Sequence, residues 1–228
     1  MAVQLNEDIF KFLNALKENN QREWMAENKP WYLKNEALLK SFYGEIQDGL
    51  NTFDHIEKTK VFRIHRDVRF SKNKTPYNVH RSASFSREGA HRRGGYYLRI
   101  EPGGKSRMAG GFFNPNPADL KRIRKEFEVD AAPIRTILNA TKFKKAFSGL
   151  NTNNQVKTAP RGFDIENPAN DLIKNKSFVV SHSFSDQEVL SANFKEQLLD
   201  HYRLLQPFFE YMSEVLTTDL NGASLLNQ

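Results

Sequence analysis

The 228-residue chain contains no cysteine, which excludes a disulfide scaffold, a zinc site built from thiolates and a cysteine nucleophile. No apolar run approaches the roughly 18–20 residues that a membrane span requires. The N-terminal segment MAVQLNEDIFKFLNAL has early acidic residues and lacks the basic start and continuous apolar stretch of a signal peptide. The sequence therefore predicts a cytoplasmic protein with no membrane partner.

Large apolar side chains, in contrast, are plentiful, with 18 Phe, 7 Tyr and 2 Trp. One domain of this length buries roughly 70–75% of the surface that its unfolded chain exposes, so a core without covalent cross-links is feasible. The sequence shows no internal repeat, no low-complexity tract and no clear linker. We therefore expect a single domain over residues 1–228.

Positive charge is concentrated in one segment. The chain has 34 Lys and Arg against 27 Asp and Glu, a net charge of +7. Residues 58–93 contain eleven Lys and Arg and two acidic residues, a net charge of +9, so the other 192 residues carry −2. His65, His80 and His91 lie in the same segment. Such a patch indicates a phosphorylated or nucleic-acid partner, or simply a solvated loop.

The N-terminal third has the periodicity of helices. Apolar residues recur at the spacing of one helix face, at Ile9, Phe12, Leu13 and Leu16. Asn20 is expected to cap a second helix, with Glu23 reaching back to it. Pro30 suits the first turn of a third helix that ends near Leu50; its buried stripe is predicted to be Leu38, Phe42 and Ile46.

A strand pattern follows over Val61–Phe70. Its apolar face would hold Phe62, Ile64, Val68 and Phe70, with Arg66 as an intruder, and its polar face would hold Arg63, His65, Asp67 and Arg69. Residues 96–101 and 107–113 alternate again on either side of Pro102-Gly103-Gly104, which predicts a hairpin. Weaker or later strands are expected over 82–86 and 177–184.

Helices are predicted for most of the remaining chain. Asn116-Pro117-Ala118-Asp119 marks the start of one helix, two short helices follow over 132–139 and 142–147, and residues 148–170 form a long loop. A capping box at Ser185 opens a C-terminal helical region that is interrupted at Pro207. The fold class is therefore α+β, with N-terminal helices, a central, mostly antiparallel sheet including a hairpin near 96–113, and C-terminal helices.

The polar strand face is the first candidate site. A neighbouring strand would add Tyr97, Arg99 and Glu101 to the row of Arg63, His65, Asp67 and Arg69. Guanidinium groups bind phosphate or carboxylate in fork geometry, and a His near an acid is the minimum for acid–base catalysis. Weak catalytic candidates are His65, Asp67, Glu101 and Asp164. The alternative is an internal salt-bridge network, because the charges on this face nearly balance.

The segment Ser71–Arg93 is the second candidate, with a net charge of +5. Lys72 and Lys74 would extend an anion-binding surface, and Tyr77, Phe85, Tyr96 and Tyr97 could stack on bases. A mobile basic loop is the alternative. Gly103-Gly104-Lys105-Ser106 lacks the glycine spacing of a phosphate loop, and the histidines lack metal-ligand spacing. We expect no metal and no cofactor.

The chain also resembles a known family. The stretch VFRIHRDVRFSKNKTPY at residues 61–77, GYYLRIEPGG at 95–104 and PRGFD at 160–164 are similar to the hallmark segments of the domain of unknown function 2461, an uncharacterised bacterial and fungal family. The resemblance implies a single intracellular domain without an established activity, cofactor or catalytic residue. The family often has Tyr at the position of His65, which disfavours His65 as an indispensable general base.

These observations favour an anion-binding domain. The predicted ligand-binding residues share a basic or aromatic character; they are Arg63, Arg66, Arg69, Lys72, Lys74, Tyr77 and Arg99. The ligand would be a phosphorylated small molecule or a nucleic acid. Two alternatives stay open at this stage, namely an enzyme for a small phosphorylated or carboxylated substrate and a structural or adaptor domain.

Overall fold

The computed structural model describes residues 3–226 and begins with three helices, as predicted. They are α1 (Glu7–Glu18), α2 (Arg22–Glu27) and α3 (Lys29–Leu50). Asn6 caps α1 by accepting the amide N–H of Asp8. The predicted cap of α2 by Asn20 is wrong, because the N-cap residue is Gln21 and makes no side-chain cap bond. Along α3, the buried stripe contains Leu39 rather than Leu38.

Five strands form one antiparallel sheet in the order β1-β2-β3-β4-β5. The strands are β1 (Ile56–Val61), β2 (Arg81–Arg87), β3 (Gly95–Ile100), β4 (Ser106–Phe112) and β5 (Phe178–Phe184). The predicted hairpin is confirmed as β3–β4. Its turn places Gly103 and Gly104 at positive φ, which glycine adopts without steric cost. Both amides donate to the carboxylate of Asp186, at 2.8 and 2.9 Å.

The predicted strand over Val61–Phe70 is wrong. Strand β1 ends at Val61, and the chain is irregular from residue 62 to 80, apart from one antiparallel bridge between His65 and Tyr77. Ile64 is buried as expected, but Phe70 is 97% exposed. Only Phe62, at the start of the segment, bonds β2, through its amide N–H to the carbonyl of Ser82 at 2.9 Å. Farther along, the segment folds back on itself, with the amide N–H of Arg66 donating to the carbonyl of Pro76 at 2.8 Å.

Helices complete the chain and confirm the α+β class. They are α4 (Pro117–Val129), α5 (Ala132–Asn139), α6 (Thr141–Phe147), α7 (Asn170–Ile173), α8 (Asp186–Leu190), α9 (Phe194–Arg203) and α10 (Gln206–Thr217). Asn116 caps α4, and Ser185 with Glu188 forms the predicted capping box of α8. Within residues 3–226, no helix is both long and apolar enough to cross a membrane.

The chain divides into two compact units. The first contains the chain up to Phe85, Tyr97–Met108 and Ser183–Leu199, and the second contains Ser86–Tyr96, Ala109–His182 and the chain from Asp200 onward. The single domain over 1–228 stays a prediction. In the first unit, Phe42 stacks on Phe194 at a centroid distance of 5.7 Å.

Aromatic packing also builds the core of the second unit. The ring of Phe209 packs edge-on against Tyr96 at 4.9 Å and lies 6.0 Å from Phe112. Such ring–ring contacts stabilise the fold beyond the stabilisation that comes from burying the apolar surface of the rings. Most of the phenylalanines are therefore buried, which removes their apolar surface from water.

Candidate functional site

An open cavity of about 500 Å³ lies in the first unit. Its lining is Lys60, Val61, Phe62, Arg63, His65, Arg66, Asp67, Asn78, His80, Arg81, Ser82 and Tyr97. This set contains four Lys or Arg, two histidines and a single acidic residue. The cavity thus brings together Arg63, His65, Arg66 and Asp67, four of the residues that the sequence nominates. It also includes His80, which the sequence placed in the basic segment but did not nominate as a ligand-binding residue.

Arg81 belongs to a buried ion pair that sequence patterns did not reveal. Its Nε and Nη2 donate to the two carboxylate oxygens of Glu36 at 2.8 and 2.7 Å, and its Nη1 donates to the carbonyl of Phe62 at 2.7 Å. The side chains are only 3% and 9% exposed. The alternative of a mobile basic loop, which the sequence left open for the segment Ser71–Arg93, is therefore wrong at Arg81.

One signal in the sequence did point to Glu36. It lies on the buried stripe of α3, three positions before Leu39 and seven before Tyr43. A carboxylate on an apolar helix face requires a buried partner, because an unpaired buried charge is very costly. The partner itself, 45 residues away, is not identifiable from this pattern.

The segment after the cavity wall folds on itself. Arg66 donates through Nη1 to the carbonyl of Thr75 at 2.9 Å and also to the Thr75 hydroxyl. Lys74 donates to the carbonyl of Val68 at 3.0 Å. We call residues 67–75 the basic loop. Two of the predicted ligand-binding cations, Arg66 and Lys74, therefore bond backbone groups of their own segment.

Asp67 and Arg69 neutralise one another at the start of the basic loop. Arg69 donates to the two oxygens of Asp67 at 3.0 and 2.7 Å. The hydrogen bonds from Arg69 lower the pKa of Asp67, with a further contribution from the charge of Arg63. Arg69 lies outside the cavity lining. The expected row of four polar residues thus contributes Arg63, His65 and Asp67 to the cavity, while Arg69 partners the acid.

Asn20 bonds the backbone of the chain that follows the basic loop, at Tyr77. Its side-chain amide donates to the carbonyl of Tyr77 and accepts the amide N–H of the same residue, both at 3.0 Å. The ring of Tyr77 is buried and lies edge-on to His65 at 5.0 Å. Asn20 therefore positions one wall of the cavity rather than capping a helix, and Tyr77 supports His65 rather than presenting an open stacking face.

Arg63 is an exposed arginine of the cavity wall. Its side chain makes no hydrogen bond and no ion pair with any residue between 3 and 226. Its charge acts on Asp67 at longer range, but that carboxylate is engaged by Arg69. The guanidinium fork of Arg63 therefore keeps its full donor capacity for a ligand.

His80 reports the electrostatic character of the cavity. Burial lowers its pKa to about 4, and the nearby charges of Arg99, Arg81 and Arg107 contribute to the same shift. The imidazole is therefore neutral at pH 7. A neutral histidine offers one donor and one acceptor, and the positive charges around it would favour an anion.

Aromatic rings line another part of the cavity. Phe62 and Tyr97 meet edge-to-face at a centroid distance of 6.2 Å, and the ammonium of Lys60 lies 5.1 Å from the Phe62 ring. Tyr43 lies behind this region, and its fully buried hydroxyl has no hydrogen-bond partner among the described residues. Burial raises the pKa of Tyr43, so its hydroxyl stays protonated.

The other predicted site residues lie outside the cavity. Arg99 and Glu101 form an ion pair on the β3 side of the hairpin, and Lys72 is exposed on the basic loop. Asp164 is an exposed residue of the second unit, where it accepts the amide N–H of Glu166 at 2.9 Å. Glu101 is thus not part of the cavity lining that contains His65 and Asp67.

The segment Ser71–Arg93 is not one solvated loop. It contains β2, and Arg87 is buried, with its guanidinium 4.7 Å from the Phe209 ring. Phe85 and Tyr96 are buried as well, so the prediction that they stack on bases is wrong. Phe70, which immediately precedes this segment and which the strand pattern had placed on the apolar face, is exposed instead. No group of three or more potential metal-binding side chains is clustered within residues 3–226.

The comparisons with known proteins agree with the resemblance seen in the sequence. No curated protein and no solved structure matches the chain significantly. A family model, that of the conserved hypothetical protein DUF2461, matches residues 8–211. This match includes α1 except for its first residue, the helices α2 and α3, the whole sheet and every residue that lines the cavity. The chain therefore belongs to the DUF2461 family of conserved hypothetical proteins.

Proposed function

We propose that this protein binds a phosphorylated ligand, with the phosphate held in the cavity by Arg63. The single observation that carries the proposal is the side chain of Arg63, which lines the cavity and has no bonding partner within residues 3–226. Arginine matches phosphate geometry because its planar fork donates two parallel hydrogen bonds.

The charge balance of the cavity supports the same ligand class. Asp67 is engaged by Arg69, and Arg81 is engaged by Glu36. Lys60, Arg63 and Arg66 have no carboxylate partner among the described side chains. Three cations near one open cavity favour a multiply charged anion.

The first test is a calorimetric titration of the protein with inorganic pyrophosphate. We expect Arg63→Ala to bind pyrophosphate at least about tenfold more weakly than the wild type, because a charge-assisted hydrogen bond contributes about 1.5–3 kcal/mol. The matched control is Arg22→Ala, which removes an equal charge from an exposed position of the same unit. Absence of pyrophosphate binding to the wild type at low salt, or equal losses in the two variants, would contradict the proposal.

A second test follows the protonation of His80. A bound anion stabilises the imidazolium form, so pyrophosphate should raise the His80 pKa from about 4 towards its usual value of 6.5. The measurement is an NMR titration of the imidazole C–H signals with and without pyrophosphate. His55, which is exposed and outside the cavity lining, serves as the internal control. An unchanged His80 pKa under saturating pyrophosphate would place the anion elsewhere.

A further inference from the structure

The basic loop presents one large apolar side chain to solvent. Phe70 is 97% exposed, more than any other large hydrophobic residue between 3 and 226. Burial of a phenyl ring stabilises a fold by roughly 1.5–3 kcal/mol, and a completely exposed ring does not contribute this stabilisation. A single exposed apolar side chain is common, so Phe70 indicates a binding surface only through the way the loop holds it and through the groups that surround it.

Hydrogen bonds hold the loop around Phe70 in one conformation. On its N-terminal side, Lys74 donates to the carbonyls of Val68 and Arg69, at 3.0 and 3.4 Å. On its C-terminal side, Asn73 Oδ1 accepts both the amide N–H and the hydroxyl of Thr75, at 2.9 and 2.8 Å. The loop that carries the Phe70 ring is therefore held by hydrogen bonds on both sides of the ring. This lowers the conformational entropy that the loop loses when a partner binds to the ring.

The surroundings of the ring are cationic. The basic loop contains Arg69, Lys72 and Lys74 against Asp67, a net charge of +2. The guanidinium carbon of Arg69 lies 6.0 Å from the centre of the Phe70 ring, and Lys72 is exposed without an ion-pair partner in the described chain. A flat apolar surface bordered by cations complements a partner that combines flat rings with phosphates.

We propose that Phe70 stacks on an unpaired base of a single-stranded nucleic acid whose phosphate occupies the cavity. This inference deepens the proposed function and rests on it. Asp67 lines the cavity and is three residues from Phe70, which limits the separation of their Cα atoms to about 10 Å. A strand of about two or three nucleotides spans such a distance. Single strands offer open base faces, whereas the faces in a duplex are already stacked.

An anionic membrane is the other partner that combines apolar and negatively charged surfaces. Phe70 could insert into lipid while the lysines contact head groups. The continuity between the loop and the cavity favours nucleic acid, because Arg66 and Asp67 belong to the cavity wall and a flat bilayer surface does not enter a cavity. Substitution of the ring separates the two partners, since lipid requires only apolar character and stacking requires an aromatic face.

The experiment measures fluorescence anisotropy of labelled oligo(dT) and oligo(U), each of about 12 nucleotides, with the full chain. Because stacking of a base on an aromatic ring is sequence-tolerant and substantial, we expect Phe70→Ala and Phe70→Leu to bind at least about fivefold more weakly than the wild type. Phe70→Trp should retain binding, and its added indole fluorescence should change on oligonucleotide addition. Val129→Ala, which shortens another exposed apolar residue at 74% exposure, should bind as the wild type.

Each outcome has a defined meaning. Wild-type affinity in Phe70→Ala, or in Phe70→Leu, would overturn the stacking proposal. Binding of vesicles containing phosphatidylserine that survives Phe70→Leu, without oligonucleotide binding, would assign the loop to a membrane and also overturn it. Pyrophosphate affinity should be unchanged by every Phe70 variant, so loss of oligonucleotide stacking with intact pyrophosphate binding would leave the proposed function standing. Arg63→Ala, in contrast, should bind both pyrophosphate and the oligonucleotides more weakly than the wild type.

Discussion

Glu36→Leu is expected to lower the free energy of unfolding by about 3–5 kcal/mol, because it leaves the Arg81 guanidinium buried without its counter-charge. For a chain of this size the loss corresponds to a fall in Tm of roughly 6–20 °C. Arg81→Met should cost a similar amount by leaving the Glu36 carboxylate unpaired. Urea unfolding followed by circular dichroism measures both changes.

The double variant Glu36→Leu/Arg81→Met provides the decisive control. Removing both charges eliminates the desolvation penalty together with the attraction, so the double variant should be more stable than either single variant. The carbonyl of Phe62 loses its donor, and we therefore expect stability to remain below that of the wild type. A double variant as unstable as the sum of the single losses would show that the two side chains do not interact as a pair.

The ion pair between Glu36 and Arg81 stabilises the fold and also bonds the chain next to the proposed phosphate site. Arg81 bonds the carbonyl of Phe62, the residue immediately before Arg63. Since Glu36 fixes the guanidinium of Arg81 through two bonds, it also fixes where the chain leaves β1. Pyrophosphate binding by Glu36→Leu, measured at a temperature where it remains folded, should therefore weaken even though Glu36 does not line the cavity.

Gly111→Ala is expected to be the most damaging single-atom addition in the sheet. A Cβ at this position would lie 2.1 Å from the carbonyl oxygen of Phe178, and the backbone has a φ of +139° that side chains rarely adopt. The clash involves backbone atoms of β5, which cannot move without disturbing the sheet. We expect a loss of at least about 3 kcal/mol, from overpacking and strain combined, measured by urea unfolding.

Gly104→Ala distinguishes the cost of backbone strain from the cost of a steric clash with the added Cβ atom. Gly104 also has a positive φ, of +67°, but nothing lies within 4 Å of the position that its Cβ would take. Its substitution should cost only about 1–2 kcal/mol, the penalty of left-handed backbone for a residue with a side chain. Equal losses at Gly104 and Gly111 would mean that contact with β5 contributes nothing.

Local patterns predicted most of the elements. The capping box of Ser185 and Glu188, the cap at Asn116 and the hairpin turn at Gly103-Gly104 are all found where expected. Each depends on hydrogen bonds or backbone preferences within a few residues. The prediction of a strand over Val61–Phe70 was wrong because alternation alone does not reveal whether a neighbouring strand is present to pair with the segment.

The site was only partly predictable for the same reason. Residue chemistry and charge density alone pointed to Arg63, His65, Arg66 and Asp67, and these residues do line one cavity. Which cations remain available depends on partners distant in sequence. Glu36 engages Arg81 across 45 residues, and Asn20 holds Tyr77 across 57. No local pattern contains those pairs.

The sequence by itself determined that the chain lacks thiol chemistry, that its net positive charge is concentrated in residues 58–93, and that helices precede and follow an antiparallel sheet. Tertiary structure alone decided how that charge is used. It buries Arg81 and Arg87, occupies Arg66, Arg69 and Lys74 with nearby acceptors, and leaves Arg63 in an open cavity and Phe70 in solvent. The physical reason is that a guanidinium or ammonium binds whichever acceptor the fold places within reach, and composition records only that the cation exists.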